Sequence, residues 1–285
     1  MMRKPVNFKI RKLLGILAFS LAMVSPVHAV LNDYKVVTWN LQGSSSRTES
    51  KWDINIRQLI SGADAADLVM VQEAGSPPSN AVDTGRVIGR GVPVREFAWS
   101  LGTNSRPLRV FIYFASLDAL GGRVNLAIVS RRMADDVFVI PGPSVASRPV
   151  LGIRLGQDAF FTVHALANQG SDAGGLVDSV FDFFRNQTSP TLQATNWMVA
   201  GDFNRAPDRL RAQIEAPADR VRILDPGVPT QRSGGTLDYA VVGNAVAALP
   251  DGLEASNAFN SQRSSQMASD HFPVGISSSL PGARP

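Results

Sequence analysis

Val199-Ala-Gly-Asp-Phe-Asn204 is an apolar run that stops abruptly in a carboxylate, an aromatic ring and an amide. A short apolar run bounded by polar residues reads as a buried strand, and a strand end holds its side chains on a rigid base. The same pattern recurs at Val36-Val-Thr-Trp-Asn40, at Leu68-Val-Met-Val-Gln-Glu73 and at Thr162-Val-His-Ala165, while Ser269-Asp-His-Phe-Pro273 stands at the head of another apolar run. Polar residues gathered at strand ends describe a site built on the rim of sheets. The structural alternative for Asp202 and Asn204 is that they cap a helix over residues 207–214, a common use of both residue types.

Outward from these segments, strand-like runs cover residues 34–39, 68–71, 108–114, 123–129, 150–155, 159–163, 197–200, 237–242 and 272–276. Two helical patterns interrupt them. Trp52, Ile56, Leu59 and Ile60 share one helical face, with Ser50 and Asp53 as a capping box, and Leu176, Val177, Val180, Phe181 and Phe184 repeat the spacing. Many strands with a few one-sided helices predict an α/β fold: a four-layer sandwich of two packed, mostly antiparallel β-sheets flanked by helices. No internal repeat or low-complexity linker divides the chain, so residues 30–277 are expected to form one catalytic domain, followed by a C-terminal tail over residues 278–285.

Residues 1–29 read as a secretory signal peptide, with Arg3, Lys4, Lys9, Arg11 and Lys12 before an apolar run at 13–24 and a small-residue end at Ala29. That run is shorter than the roughly 20 residues a membrane-spanning helix needs, so no retained transmembrane segment is expected and the protein reads as secreted. Cleavage would remove five of the 28 Lys+Arg and none of the 24 Asp+Glu, leaving 23 against 24 and a net charge near −1. The high overall pI therefore belongs largely to the leader, and any anion-binding surface must be local. The remaining basic residues are 21 arginines with only Lys35 and Lys51. A base-composition bias is the plainer explanation, ahead of a functional use of arginine forks in bidentate phosphate binding. Cysteine is absent, which excludes a disulfide-linked partner, and with few histidines it argues against zinc.

Removing the leader also removes His28, so His164 and His271 are the only histidines available as an acid–base pair. Either one alone reads equally well as a hydrogen-bonded structural residue. Oxygen ligands at separate strand ends suit a hard cation that keeps several waters, and Glu73, Asp270 and Asn40 would suffice for Mg²⁺, with Mn²⁺ or Ca²⁺ as alternatives.

The order and spacing of Thr38-Trp-Asn-Leu-Gln-Gly-Ser-Ser45, Val71-Gln-Glu-Ala74, Gly201-Asp-Phe-Asn204, Leu237-Asp-Tyr239 and Ser269-Asp-His271 resemble the deoxyribonuclease I-like endonuclease/exonuclease/phosphatase superfamily. Glu49-Ser-Lys-Trp52, Arg57-Gln-Leu59, Arg123-Val-Asn-Leu-Ala-Ile-Val-Ser130 and Gly201-Asp-Phe-Asn-Arg205 resemble one of its families, the catalytic subunits of cytolethal distending toxins. The resemblance covers residues 32–276. It implies a metal-dependent endodeoxyribonuclease acting on double-stranded DNA, with non-covalent lectin-like delivery subunits and a site of action in the host-cell nucleus.

By that resemblance His271 is the general base with Asp238 holding its ring, His164 is the general acid, and Asp202 and Asn204 position water and phosphate. Glu73, Asp270 and Asn40 hold or orient the metal. Arg123, which lies in a family motif, ranks ahead of Arg109 and Arg148 as a DNA phosphate contact. No motif matches the carboxylate that supports the leaving-group histidine in deoxyribonuclease I. Rival readings are a phosphoinositide phosphatase with the same metal centre, a secreted nuclease without toxin partners, and a non-catalytic binding module. The intact polar set weighs against the last.

Overall fold

Period-two alternation along the strands sorts their side chains onto two faces, and the first long strand shows the result. In β1 (Val36–Asn40), Val36 enters an apolar core with Leu68, Met70 and Ile128, whereas Val37 and Trp39 enter a different one with Trp52, Ile56 and Ile60. A computed structural model describes residues 30–43, 51–62, 64–88, 92–118, 123–168, 170–258 and 269–278. Residues 1–29 of the expected leader, Ser44, Ser45, Glu49, Ser50 of the expected capping box and residues 279–285 lie outside the described residues.

The larger sheet contains eight strands. They are β1, β2 (Leu68–Gln72), β3 (Val82–Ile88), β4 (Val94–Ser100), β5 (Arg109–Ala115), β6 (Leu126–Ser130), β13 (Leu253–Asn257) and β14 (Val274–Ser278), in the order β13-β14-β1-β2-β6-β5-β4-β3. The smaller sheet has six, β7 (Asp136–Ile140), β8 (Val150–Leu155), β9 (Asp158–His164), β10 (Asn196–Asp202), β11 (Val221–Leu224) and β12 (Asp238–Asn244), ordered β11-β12-β10-β9-β8-β7. Pairing is antiparallel except at β1/β2 and β9/β10. Ser278 closes β14, so the strand reaches one residue into the expected tail.

Three apolar clusters define the layers. The one between the sheets includes Met70, Ile128, Leu151, Phe160, Met198 and Val242. A second packs the outer face of the smaller sheet under the helix Ala173–Arg185, with Val177, Val180, Phe181 and Phe184 buried as their spacing predicts. The third lies on the outer face of the larger sheet, beneath a π-helical stretch Lys51–Ile56 that runs into the α-helix Arg57–Ser61. Helix, sheet, sheet, helix is the expected four-layer sandwich.

The alternation also decides what reaches the rim. Counting by twos from inter-sheet core residues, Val36 leads to Asn40, Met70 to Gln72, Phe160 to His164, Met198 to Asp202, and Ala240 back to Asp238. The registers align these ends, Asn40 with Gln72 and Asp202 with both His164 and Asp238. Two parallel pairs, one per sheet, thus bring carboxyl-terminal ends to one edge of the inter-sheet space.

Candidate active site

Around that edge the backbone is forced into unusual shapes. Gln42, Glu73 and Asn204, just beyond the ends of β1, β2 and β10, have positive φ angles of 52°, 45° and 47°. L-residues rarely adopt this region, and such strain concentrates where side chains must be aimed. Gly43 lets the loop after β1 press on this corner, because a Cβ there would lie 1.9 Å from the Glu73 carbonyl oxygen.

Asn40 joins the two sheets. Its Nδ2 donates to Asp202 Oδ2 at 3.0 Å and to Glu73 Oε1 at 3.3 Å, while its Oδ1 accepts from the Gln42 amide at 2.9 Å. Asp202 Oδ2 then lies between the two histidines, 3.7 Å from His164 Nε2 and 3.9 Å from His271 Nε2. His164 Nε2 is also 3.8 Å from Glu73 Oε1, and His271 Nε2 is 3.8 Å from Asp270 Oδ1. Asn204 is folded back: its amide donates to Asp202 Oδ1 at 2.8 Å and its Nδ2 to the Ala165 carbonyl at 2.9 Å. The alternative use of Asp202 and Asn204 as helix caps fails, since Ala206 precedes the helix Pro207–Arg211 and no side chain caps it.

His271 is fixed from behind. Its Nδ1 shares a 2.8 Å hydrogen bond with Asp238 Oδ2, which also accepts from Thr230 Oγ1 at 2.9 Å. Ser269 donates to the Asn40 carbonyl at 2.7 Å and accepts from the His271 amide at 3.1 Å, and the Trp39 indole donates to the His271 carbonyl at 3.0 Å. Gln231 Nε2 stands 3.4 Å from His271 Nε2. Thr230, Ser269, Gln42 and Gln231 had no functional assignment from sequence. Ser269 and Gln42 lay inside recognisable motifs; Thr230 is brought to Asp238 by a loop whose shape no local pattern announces.

Burial drives most of the electrostatics. It pushes Glu73 and Asp238 above the usual carboxylate range and Asp202 up to about 7, the last helped by the neighbouring Asp238 charge. His164 is driven down to about 3 by burial, then by the Arg148 and His271 charges. For His271 burial works downward, but the hydrogen bond and charge of Asp238, with Asp202 and Asp270, raise it to about 9. In this state His271 holds a proton and His164 does not, which is opposite to the resting occupancy of the base and acid implied by the resemblance.

Several buried oxygens here have no hydrogen-bond partner: Glu73 Oε2, Asp270 Oδ1 and Asp238 Oδ1. Unsatisfied carboxylate oxygens fit a hard cation, which takes oxygen ligands. Asp202, Asp238 and His271 place ligand atoms within 4.8 Å of one another. His271 Nδ1 and Asp238 Oδ2 are already engaged with each other, whereas Glu73 Oε2 and Asp270 Oδ1 have no hydrogen-bond partner. His164 Nδ1 is likewise buried without a partner, in keeping with the missing supporting carboxylate.

The three arginines separate. Arg123 is exposed, and its charge acts on the Glu73 carboxyl. Arg148 is half-buried and its Nη1 donates to the His164 and Ala165 carbonyls, both at 2.9 Å, so it braces the histidine strand. Arg109 is not brought to the site. It opens β5, and the registers through β6 place β5 parallel in direction to β2, so Arg109 lies at the opposite end of the sheet from Glu73.

The chain belongs to the endonuclease/exonuclease/phosphatase family, whose model matches residues 37–271. Within that family it is 56% identical over 251 residues to CdtB of the cytolethal distending toxin of Escherichia coli, covering 87% of this chain and 93% of the relative. It is 47% identical over 279 residues to the CdtB homolog of Salmonella typhi, covering 96% and 97%. The solved structure of CdtB, the biologically active subunit of cytolethal distending toxin, superposes with a TM-score of 0.83 at 56% identity, over 87% of this chain and 98% of that one. The protein is thus a hydrolytic enzyme of the nuclease and phosphatase type, related to toxin subunits. No helix among the described residues is long and apolar enough to cross a membrane.

Proposed function

We propose that this chain is the catalytic subunit of an exported genotoxin, a Mg²⁺-dependent endodeoxyribonuclease that hydrolyses phosphodiester bonds of double-stranded DNA. The observation that carries the reading is the meeting of two buried histidines on one carboxylate, Asp202 Oδ2, at 3.7 and 3.9 Å. Two imidazoles facing a common point can take a proton from water on one side of a phosphorus centre and return one to the departing oxygen on the other.

His271 is assigned the first task. Asp238 takes the Nδ1 side of the ring, which leaves Nε2 toward Asp202 and the site. His164 is assigned the second, and the negative charge of an entering phosphate raises the proton affinity of a ring that is otherwise stripped by burial. Asn204, pinned by its two hydrogen bonds, and Asp202 orient water and phosphate. Glu73 and Asp270, with Asn40 orienting Glu73, would hold the cation. When bound it supplies charge neutralisation for the phosphate oxygens and for the carboxylates that hold the His271 proton. Arg123 contacts the DNA backbone from the rim.

Export rests on the leader-like residues 1–29, and assembly with non-covalent delivery subunits rests on the likeness to the CdtB toxin subunits, with action in the host nucleus following from a DNA substrate. Residues 30–285 should relax supercoiled plasmid with Mg²⁺ and stop in EDTA. Equal cleavage in EDTA would remove the metal from the proposal. Turnover of a phosphoinositide with no cleavage of DNA would replace the nuclease by a phosphatase.

A further inference from the structure

Gln72 lies in the Val-Gln-Glu motif, yet no catalytic task uses it. It is fully buried on the inner face of β2, beside Asn40 in register and one residue before Glu73. Its Nε2 donates to Thr38 Oγ1 of its own sheet at 3.1 Å and to Thr162 Oγ1 of the opposite sheet at 2.8 Å. Both threonines are fully buried. Thr38 precedes Asn40 by two residues and Thr162 precedes His164 by two, so each lies on the same face of its strand as a site residue.

A packing role alone does not account for this layer. The next inward-facing residues, Met70 and Phe160, fill the inter-sheet core with apolar side chains. A buried amide and two buried hydroxyls are costly unless satisfied, and a satisfied polar network fixes one arrangement where an apolar core tolerates several. Among the side-chain hydrogen bonds that join the two sheets near the rim are Asn40 to Asp202 and His271 to Asp238. Both use groups assigned to the chemistry itself. The Gln72–Thr162 bond crosses at the same edge without using any of them.

We infer that Gln72 is a positioning residue: its carboxamide clasps the two sheets directly beneath the site and sets the separation across which Asn40 and Glu73 face His164 and Asp202. The inference rests on the proposed reading of the site as a metal-dependent nuclease. Removing the hydrogen-bond partner of a metal ligand typically costs 10–100-fold in metal affinity or activity, and the Gln72 clasp, one step further out, is expected at the low end of that range, about tenfold.

The test compares Thr162→Val, which keeps shape and loses the hydroxyl, with Thr162→Ser, which keeps the hydroxyl. Thr162→Val should fold, lose about tenfold in kcat on supercoiled plasmid with KM within about twofold, and bind Mn²⁺ about tenfold more weakly by calorimetry. Thr162→Ser should match the unsubstituted protein in both. Thr38→Val breaks only the bond within one sheet and should leave both readouts within about twofold. Gln72→Met replaces Thr162→Val should the latter fail to fold; failure of both would make the clasp a folding element and overturn the inference. Unchanged kcat and Mn²⁺ affinity in folded Thr162→Val overturn it too, as does an equal loss in Thr38→Val. If the unsubstituted protein cleaves neither DNA nor a phosphoinositide, the functional reading fails, and the Mn²⁺ isotherms alone decide the clasp: equal affinities reject it.

Discussion

Asp238→Asn is the substitution that most directly interrogates the site. Asp238 is fully buried, and one of its oxygens accepts both His271 Nδ1 at 2.8 Å and Thr230 Oγ1 at 2.9 Å. His271 is held at about 9 against an ordinary 6.5 despite a burial effect that pulls the other way. The gap corresponds to roughly 3 kcal/mol of preference for the protonated ring. Asp238 is the largest contributor to that preference, and asparagine keeps its shape while removing its charge. The asparagine oxygen can still accept from Nδ1, but its NH₂ must then occupy the place of Asp238 Oδ1, which is buried without a partner. An unmet buried donor costs about 1–3 kcal/mol, so a modest loss of stability accompanies the electrostatic change. Ring-carbon NMR of metal-free residues 30–285 between pH 5 and 10 is a clean assay, because two histidines remain and His164→Gln identifies the other. The His271 midpoint should fall from about 9 toward the ordinary histidine range. Plasmid cleavage should fall about hundredfold, milder than for His271→Gln, which removes the ring itself. An unmoved midpoint, or normal cleavage by Asp238→Asn beside a dead His271→Gln, would refute the pairing.

The other arginine and histidine substitutions separate binding from bracing. Arg123→Ala should raise KM for DNA, keep kcat, and lower the slope of log affinity against log salt by about one, whereas Arg109→Ala at the far end of the sheet should change neither; equal effects in plasmid-binding titrations would contradict the placement. Arg148→Ala removes two hydrogen bonds to the carbonyls of residues 164 and 165, so kcat should fall while KM changes little, a split that a phosphate contact alone would not give. His164, neutral when folded with its pKa lowered from 6.5 to about 3, contributes stability that is present above pH 6.5 and is lost as pH falls toward 3, because the unfolded chain takes the proton first. Because the raised carboxyls Glu73, Asp202 and Asp238 act with the opposite sign in both proteins, the difference is the readout: the melting temperature of the metal-free protein relative to His164→Gln should fall as pH drops below 6.5.

The parts of this fold that were legible in the sequence are those buried on both faces. All nine expected strands form, and their apolar density follows from packing against helices outside and the opposite sheet inside. The five strands that escaped notice are β3, β4, β7, β11 and β13, four of which are sheet edges. Edge strands carry fewer apolar residues because one flank meets solvent: β3 is largely exposed, with Val82 and Val87 facing out. The same logic governs the site. Asn40, Glu73, His164, Asp202 and His271 were readable because each stands where an apolar run meets polar residues. Thr230 was not, since its link to Asp238 depends on a loop conformation, and Arg109 was misplaced because strand direction is decided by pairing, which sequence pattern does not reveal.

The case for a divalent cation also has an electrostatic basis independent of family likeness. Glu73, Asp202, Asp238 and Asp270 bring four carboxyl groups to a site that, on the proposed reading, must admit a phosphodiester anion. Burial first, and then the neighbouring carboxylates, raise Glu73, Asp202 and Asp238 above the ordinary range, which disfavours their ionised forms unless positive charge stands nearby. The protein cations act from a distance: Arg148 is held on backbone carbonyls and reaches Glu73 and Asp202 only through space, and Arg123 is exposed at the rim. His271 answers part of the demand by holding a proton, but a histidine that does so cannot serve as a base. Positive charge delivered beside Glu73 and Asp270 would relieve the carboxylates, release the His271 proton and make room for phosphate. With residues 1–29 removed, a chain of nearly neutral net charge could then bind a polyanion without a broad basic face.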